Sequence, residues 1–324
     1  MRRLIGALNF YGRFAPSFTR PALMVRETLW SELPRLDGQT WLVTGASDGI
    51  GKAMCTLALN LGANVIGVAR NQQALNAIGQ SAEDASRFQS CIHDLSSMAE
   101  ISRLVGDLVS SGERVDVLVN NVGVLLNEAA TTDEGLEMSF ATNLLGHYAL
   151  TTRMRDTDLL TANARIINMS SGGMYNVPLL IEHLNSIEPY DGVMAYALHK
   201  RAQVVLNDYW QETDTERSYY VMHPGWVDTK GVATSLPTFH KMLRHVLRSP
   251  AEGADTAVWL GATSPDQAKP GIWFDRKLRD AHIYKFTSIR SASGAELDSF
   301  LSSQLEELSD KHSAGQKTVS GQAG

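Results

Sequence analysis

A strand, a glycine-rich turn and a helix start follow one another between residues 41 and 61, and this succession limits the fold more than any other stretch. Trp41-Leu42-Val43 is apolar and reads as a buried strand, Thr44-Gly45-Ala46-Ser47-Asp48-Gly49-Ile50-Gly51 is the turn, and Ala53, Met54, Leu57, Ala58 and Leu61 recur at helical spacing. Amides at a helix start point outward unpaired, the helix dipole favours negative charge there, and glycines let a pyrophosphate come close to the chain. The turn therefore reads as phosphate-binding through Thr44, Gly45, Ser47, Asp48, Gly49, Ile50 and Gly51. Its glycine spacing is not the common Gly-x-Gly-x-x-Gly, and a plain glycine turn is the alternative, but the strand-turn-helix context is present.

Two later segments repeat the pattern of an apolar strand ending in polar residues and glycine. Val115-Asp116-Val117-Leu118-Val119 runs into Asn120-Asn121-Val122-Gly123, and Arg165-Ile166-Ile167-Asn168-Met169 into Ser170-Ser171-Gly172-Gly173. Ligands of open parallel sheets bind outside the carboxyl ends of the strands, which puts both endings on the cofactor's side. Turns without function are the bland alternative. Further strands are predicted at Asn64 to Ala69, Phe88 to Ile92, Tyr219 to Met222 and Gly271 to Phe274, with amphipathic helices between them. At 324 residues and 44% hydrophobic, the chain can bury a large core, and the alternation predicts one α/β domain of the Rossmann type, a doubly wound parallel sheet. The predicted limits are a basic amphipathic segment at 1–36, the catalytic domain at 37–290 and an extension at 291–324 whose end is disordered.

Tyr196 and Lys200 lie four apart, so a helix would carry phenol and ammonium on one face. An ammonium fixed beside a tyrosine favours the phenolate and lowers its pKa, which suits it to proton transfer near neutral pH. The pair alone is weak evidence, since many solvated helices carry it by chance. Its weight comes from following, in chain order, the glycine turn and the two strand endings.

Taken together, these residues resemble the short-chain dehydrogenase/reductase family over roughly residues 38 to 275. The resemblance implies a cofactor turn at Thr44, Gly45, Gly49 and Gly51. It implies an adenine-side acid at Asp94, next to Leu95, and contacts at Asn120, Val122 and Gly123. It implies a catalytic tetrad of Asn143, Ser171, Tyr196 and Lys200, the last two also touching cofactor, and a nicotinamide-side segment from Pro224 and Gly225 through Val227 to Thr229. In the family's mechanism Ser171 would donate to a carbonyl oxygen, Tyr196 would exchange the proton, Lys200 would hold the nicotinamide ribose, and Asn143 would place a water or satisfy helix backbone. Two departures stand out. Val122 replaces the usual alanine, and the interval from Ser171 to Tyr196 is lengthened by Met174 to Val193, which either shapes the substrate site or makes a surface excursion. If the register slipped by one, Ser170 would take the place of Ser171.

The second strand ends Val65-Ile66-Gly67-Val68-Ala69-Arg70, without the acid that would hold a ribose 2′-hydroxyl and repel a 2′-phosphate. A guanidinium there can pair with that phosphate, so NADP(H) is expected over NAD(H), although Arg70 could also be a solvated helix start. The partner expected is a small carbonyl or alcohol substrate, lipophilic if Val232, Leu236, Phe239 and Met242 line its pocket; at helical spacing they could equally be core or dimer contacts. A net charge of -6 and the lack of a basic stripe with interleaved aromatics disfavour nucleic acid. Cys55 and Cys91 suggest a reducing, cytoplasmic compartment, and His240 and His245 lack zinc-motif spacing, so no metal is expected.

Residues 1–26 hold Arg2, Arg3, Arg13, Arg20 and Arg26 and no acid, with Leu4, Leu8, Tyr11 and Phe14 near helical spacing. A peripheral membrane contact through residues 1–30, an organellar targeting peptide and a helix packed on the domain all fit this pattern. Beyond Glu307 the polar composition predicts a frayed tail. Two other functions share the fold: a cofactor-binding regulator, which would not need all four tetrad residues, and a sugar-nucleotide epimerase or dehydratase, which would need a longer substrate domain.

Overall fold

In a computed structural model, which describes residues 12–320 apart from residue 268, eight strands form one sheet in the order β3-β2-β1-β4-β5-β6-β7-β8. The elements in chain order are α1 (Arg20–Glu27), β1 (Thr40–Thr44), α2 (Gly49–Asn60), β2 (Asn64–Ala69), α3 (Gln72–Ser81), β3 (Phe88–Ile92), α4 (Met98–Ser110), β4 (Val115–Asn120), α5 (Gly146–Asp156) and β5 (Leu160–Met169). They continue with α6 (Gly192–Thr213), β6 (Ser218–Met222), α7 (Lys230–Ser235), α8 (Pro237–Leu243), α9 (Pro250–Thr263), β7 (Ile272–Phe274), β8 (Lys277–Arg279) and α10 (Gly294–Ser320). β1 to β7 pair in parallel, and β8 returns antiparallel to β7. The strand order reverses between β1 and β4, which is the switch point where open parallel sheets leave a crevice at their carboxyl ends.

Both faces of the sheet are covered, and so the central strands are apolar throughout. Strand residues alternate between the faces. Leu42, Ile66, Leu118 and Ile166 pack with Ile101 and Leu104 of α4, Leu206 of α6 and Leu297 of α10. Trp41, Val43, Val65, Val117 and Ile167 face Met54 and Ala58 of α2 and Ala254 and Val258 of α9. Helix α9 approaches so closely that a Cβ on Gly261 would lie 2.3 Å from the Trp41 ring.

Three parts differ from what composition suggests. The C-terminal stretch is helical to Ser320 where the polar composition beyond Glu307 predicts fraying; Leu297, Leu301 and Leu308 are buried on one face and anchor it as far as Leu308, and residues 321–324 lie outside the described ones. The Met174–Val193 insertion is folded into the body, not draped over it: Met174, Tyr175, Val177, Leu179 and Leu184 are buried, and Arg201 of α6 donates to the carbonyls of Met174 and Val177. β8 escapes a reading based on apolar runs, since its three residues are largely exposed.

The N-terminal segment packs on the domain from residue 12, where the description begins; Leu4, Leu8 and Tyr11 lie outside it. Residues 12–18 are helical, and Phe14, Phe18 and Leu23 are buried. Among the described residues no helix is long and apolar enough to cross a membrane. The segment is locked by Asp275, whose carboxylate meets Arg248 at 2.7 and 3.1 Å and Arg26 at 2.6 Å. Asp275 and Arg276 form the turn between β7 and β8 with φ of 51° and 53°, a left-handed conformation costing about 1–3 kcal/mol per residue. The Asp275 ion pairs and the pairing of Arg276 with Asp255 at 2.7 Å hold it in place.

Asp275→Asn would leave two guanidinium groups, one of them fully buried, without a counter-charge. We expect a loss of about 3 kcal/mol or more in urea unfolding, in the range for breaking a buried pair. A loss below about 1 kcal/mol would show that the lock is dispensable.

Candidate functional site

The glycine turn forms a cradle that only glycines allow. Gly45 and Gly49 have φ of 67° and 55°, and a Cβ on Gly51 would fall 2.1 Å from the Gly45 carbonyl oxygen. Asp48 caps α2 by accepting from the Gly49 amide at 2.8 Å, and the other first-turn amides have no acceptor within the helix. Ser47 and Ile50 line the cradle half-buried. Thr44, expected to touch cofactor, is instead fully buried: its hydroxyl donates to Val119 O at 3.1 Å and accepts from the Asn121 and Val122 amides at 2.8 and 3.1 Å. This ties the carboxyl ends of β1 and β4 together, and Asn121 of the same strand ending adds a bond from its side chain to Thr44 O at 2.8 Å.

Asn120 is the second departure. Its side chain turns into the sheet and donates to Thr151 Oγ1 and Asn168 Oδ1 at 2.9 and 3.0 Å, and Asn168 donates on to Asn207 of α6 at 3.0 Å. The result is a buried amide ladder beneath the crevice, so its side chain is unavailable to a cofactor. At the ends of β2 and β3, Arg70 lies 3.3 Å from Asp94, with side chains 71% and 39% exposed, while Leu95 is buried. Burial works against the Asp94 charge, but hydrogen bonds from Ser96 and the neighbouring Arg70 outweigh it and hold the carboxyl below its ordinary range.

Tyr196, Lys200 and Ser171 meet where α6 passes the end of β5. Ser171 stands beside the Tyr196 phenol and favours its ionisation, while its hydroxyl accepts from the Gly173 amide at 3.4 Å; Ser170 is buried and donates to Lys200 O at 2.7 Å. Lys200 Nζ donates to Met169 O at 2.6 Å and lies 5.5 Å from the Tyr196 ring centroid. Burial lowers the Lys200 pKa to about 7. Burial also raises the Tyr196 pKa, and Ser171 offsets this only in part. The sequence reading had the opposite sign, because it weighed the lysine's charge and not the desolvation of the phenol.

Asn143 sits in a π-helical turn at Ala141–Leu145 just before α5. Its side chain clamps the Val124 backbone, accepting from the amide at 2.7 Å and donating to the carbonyl at 2.8 Å. A Cβ on Gly123 would lie 3.3 Å from Asn143 Oδ1 and 3.5 Å from Lys200 Nζ, so this glycine borders the lysine directly. Two residues that sequence reasoning missed lie below. Gln203 donates to Asn143 O at 2.7 Å and contacts His147 Nδ1 at 2.8 Å, and His147 Nε2 contacts Val122 O at 2.9 Å. Burial and the nearby Lys200 push His147 down to about 3, so it is neutral, donates to Val122 O and accepts from Gln203. The available signal was spacing, since Tyr196, Lys200 and Gln203 fall at i, i+4 and i+7 on α6.

The segment after β6 closes the crevice. Pro224 O accepts from Arg248 at 3.1 Å, Val227 is buried beside α9, and Thr229 caps α7 with its methyl 3.3 Å from where a Gly49 Cβ would stand. Lys230 bridges to Asp48 at 2.9 Å across the glycine turn. The insertion reaches the segment after β4, where a Cβ on Gly192 would strike Leu126 O, and Ser235 of α7 donates to the neighbouring Leu125 O at 2.7 Å. Among the described residues no acidic, histidine or cysteine cluster is arranged to hold a metal. A cradle that side chains would fill, open first-turn amides and a guanidinium at the end of β2 fit a dinucleotide lying across the switch point.

Comparison with known proteins agrees with this geometry. The short chain dehydrogenase family matches residues 39–235. Human dehydrogenase/reductase SDR family member 12 is 38% identical over 268 residues, covering 81% of this chain and 84% of the human protein. Mouse retinol dehydrogenase 14 is 31% identical over 252 residues, covering 71% of this chain and 75% of its own. A short chain dehydrogenase of Shigella flexneri, solved in complex with NADP, shares the fold with a TM-score of 0.58 at 22% identity, over 72% of this chain and 95% of that one. The chain belongs to the short-chain dehydrogenase/reductase family and is an NAD(P)-dependent oxidoreductase.

Proposed function

We propose that the protein interconverts a lipophilic carbonyl compound and its alcohol with NADP(H), Tyr196 exchanging the proton. The observation that carries this reading is the convergence of Ser171, Tyr196 and Lys200 beside Gly123 at the carboxyl ends of β4 and β5. When bound, reduced nicotinamide supplies a hydride to the carbonyl carbon. Ser171 donates to the carbonyl oxygen, and Tyr196, kept protonated by burial, delivers its proton as negative charge grows there. Lys200 then faces the phenolate; a developing negative charge nearby favours its ammonium and offsets the desolvation that lowers its pKa.

The preference for the phosphorylated cofactor rests on Arg70. It follows Ala69 directly, and its partner Asp94 is an exposed ion pair of the kind worth roughly 0–1 kcal/mol. A 2′-phosphate offers more charge and bidentate acceptors, so the guanidinium would exchange one for the other. The lipophilic substrate class is supported by Val193 and Met194, which are 55% and 49% exposed just before Tyr196, and by half-buried Leu125 and Leu126 opposite. A relative named retinol dehydrogenase 14 points the same way.

Screening oxidation of NADPH against medium- and long-chain aldehydes, ketones and quinones tests the reading as a whole. On any substrate so found, Tyr196→Phe should lower kcat by about 10²–10⁴, the usual contribution of a positioned acid, with NADPH affinity within about threefold of the parent. Activity within a few-fold of the parent would remove Tyr196 from the proton step. Arg70→Ala should weaken NADPH binding by about tenfold or more, as expected for loss of a charged hydrogen bond, and leave NADH binding unchanged. Equal affinity of the parent for both cofactors would contradict the assignment.

A further inference from the structure

We infer that the N-terminal segment is a buttress of the reaction centre, in which Phe18 is a positioning residue holding the Ser171–Gly173 turn and the His223–Trp226 segment at their working separation. The inference rests on the catalytic reading of Ser171, and concerns a residue far outside the stretch matched by the family.

Gly172, directly after Ser171, has no left-handed backbone to demand a glycine. What forbids a side chain is the Phe18 ring, since a Cβ there would lie 2.5 Å from Phe18 Cε2. The same residue grips the other flank through its carbonyl, which accepts from the Trp226 amide and from Arg248 Nε, each at 3.1 Å. Gly225 has a left-handed backbone, φ 78°, that favours glycine by itself, and the segment lies close against it: a Cβ there would meet Arg248 at 2.8 Å and Phe18 O at 2.9 Å. The ring completes an aromatic box, with centroids 4.7 Å from His223, 5.2 Å from Phe274 and 4.8 Å from Phe14, which in turn stacks on Tyr175 at 5.4 Å.

One buried side chain therefore spans the strand ends of β5 and β6, the two flanks between which substrate must sit. Truncating it opens space that neighbouring loops relax into. Catalysis is sensitive to such relaxation, because a misplacement of about 1 Å can cost about a hundredfold in rate. A residue that merely filled the core would lower the melting temperature and leave the turnover of folded enzyme unchanged.

The test compares Phe18→Ala, Phe18→Leu and Leu23→Ala, the last truncating another buried residue of the same segment. Below their melting temperatures, Phe18→Ala should lose about tenfold or more in kcat and Phe18→Leu less, with NADPH affinity within about threefold, whereas Leu23→Ala should keep parental kcat. In cofactor-free protein, hydrogen exchange in Phe18→Ala should quicken over residues 170–175 and 223–227 and stay unchanged over 44–51. If the alanine variant does not fold, the leucine variant is read by the same criteria. Parental kcat in a folded Phe18 variant, an equal loss in Leu23→Ala, or unchanged exchange in both peptides would overturn the inference. Should the parent turn over no substrate, the catalytic reading falls, while the exchange result still decides whether Phe18 holds the two flanks.

Discussion

Two hydrogen bonds running in opposite directions stitch helix α6 to the end of strand β5, and the site depends on them. Lys200 Nζ donates to Met169 O at 2.6 Å, and Ser170 Oγ donates to Lys200 O at 2.7 Å. Both lie among buried residues, where an unsatisfied polar group costs most, so the register of helix against strand has little freedom. Four residues up the helix, Tyr196 is thereby brought to Ser171, the residue after the stitch. The amide ladder from Asn120 through Asn168 to Asn207 repeats the device one layer deeper, joining β4, β5 and α6.

Around this rigid centre the charges fall into two classes. Arg248 and Asp275 are nearly inaccessible and hold the N-terminal segment and the β7–β8 turn in one arrangement. The pairs at the crevice, Asp48 with Lys230 and Arg70 with Asp94, are substantially exposed and therefore weak. Exposed pairs can part for a ligand at small cost, and in the proposed reading both border the dinucleotide's phosphates. Rigidity beneath the reacting atoms and yielding contacts at the rim are consistent with one another, since the first orients and the second admits.

The parts legible in the sequence were those governed by periodicity. The glycine turn, the apolar central strands and the helix carrying Tyr196 and Lys200 each follow from local spacing, and these determine the doubly wound sheet. Side-chain direction at strand ends does not follow from spacing: Thr44 and Asn120 sit in cofactor-side segments yet turn inward to bind neighbouring strands. His147 is joined to Gln203 only by tertiary packing, so nothing local distinguishes it from other polar helix residues, whereas Gln203 shares the α6 face of Tyr196 and Lys200. The ionisation of Tyr196 does not follow from spacing either, because burial, a property of the whole fold, raises its pKa. The C-terminal helix was hidden by its serine and glycine content, although Leu297, Leu301 and Leu308 carried the helical spacing.

A crystal structure with NADPH bound would test the central claim, that the carboxyl ends of β1, β4 and β5 form one site for cofactor and chemistry. The account predicts the pyrophosphate on the amides of the Gly45–Gly51 turn, the 2′-phosphate on Arg70, and the nicotinamide against Gly123 with its reacting face toward Ser171 and Tyr196. A cofactor seated elsewhere, or a nicotinamide turned away from the Tyr196 hydroxyl, would contradict it.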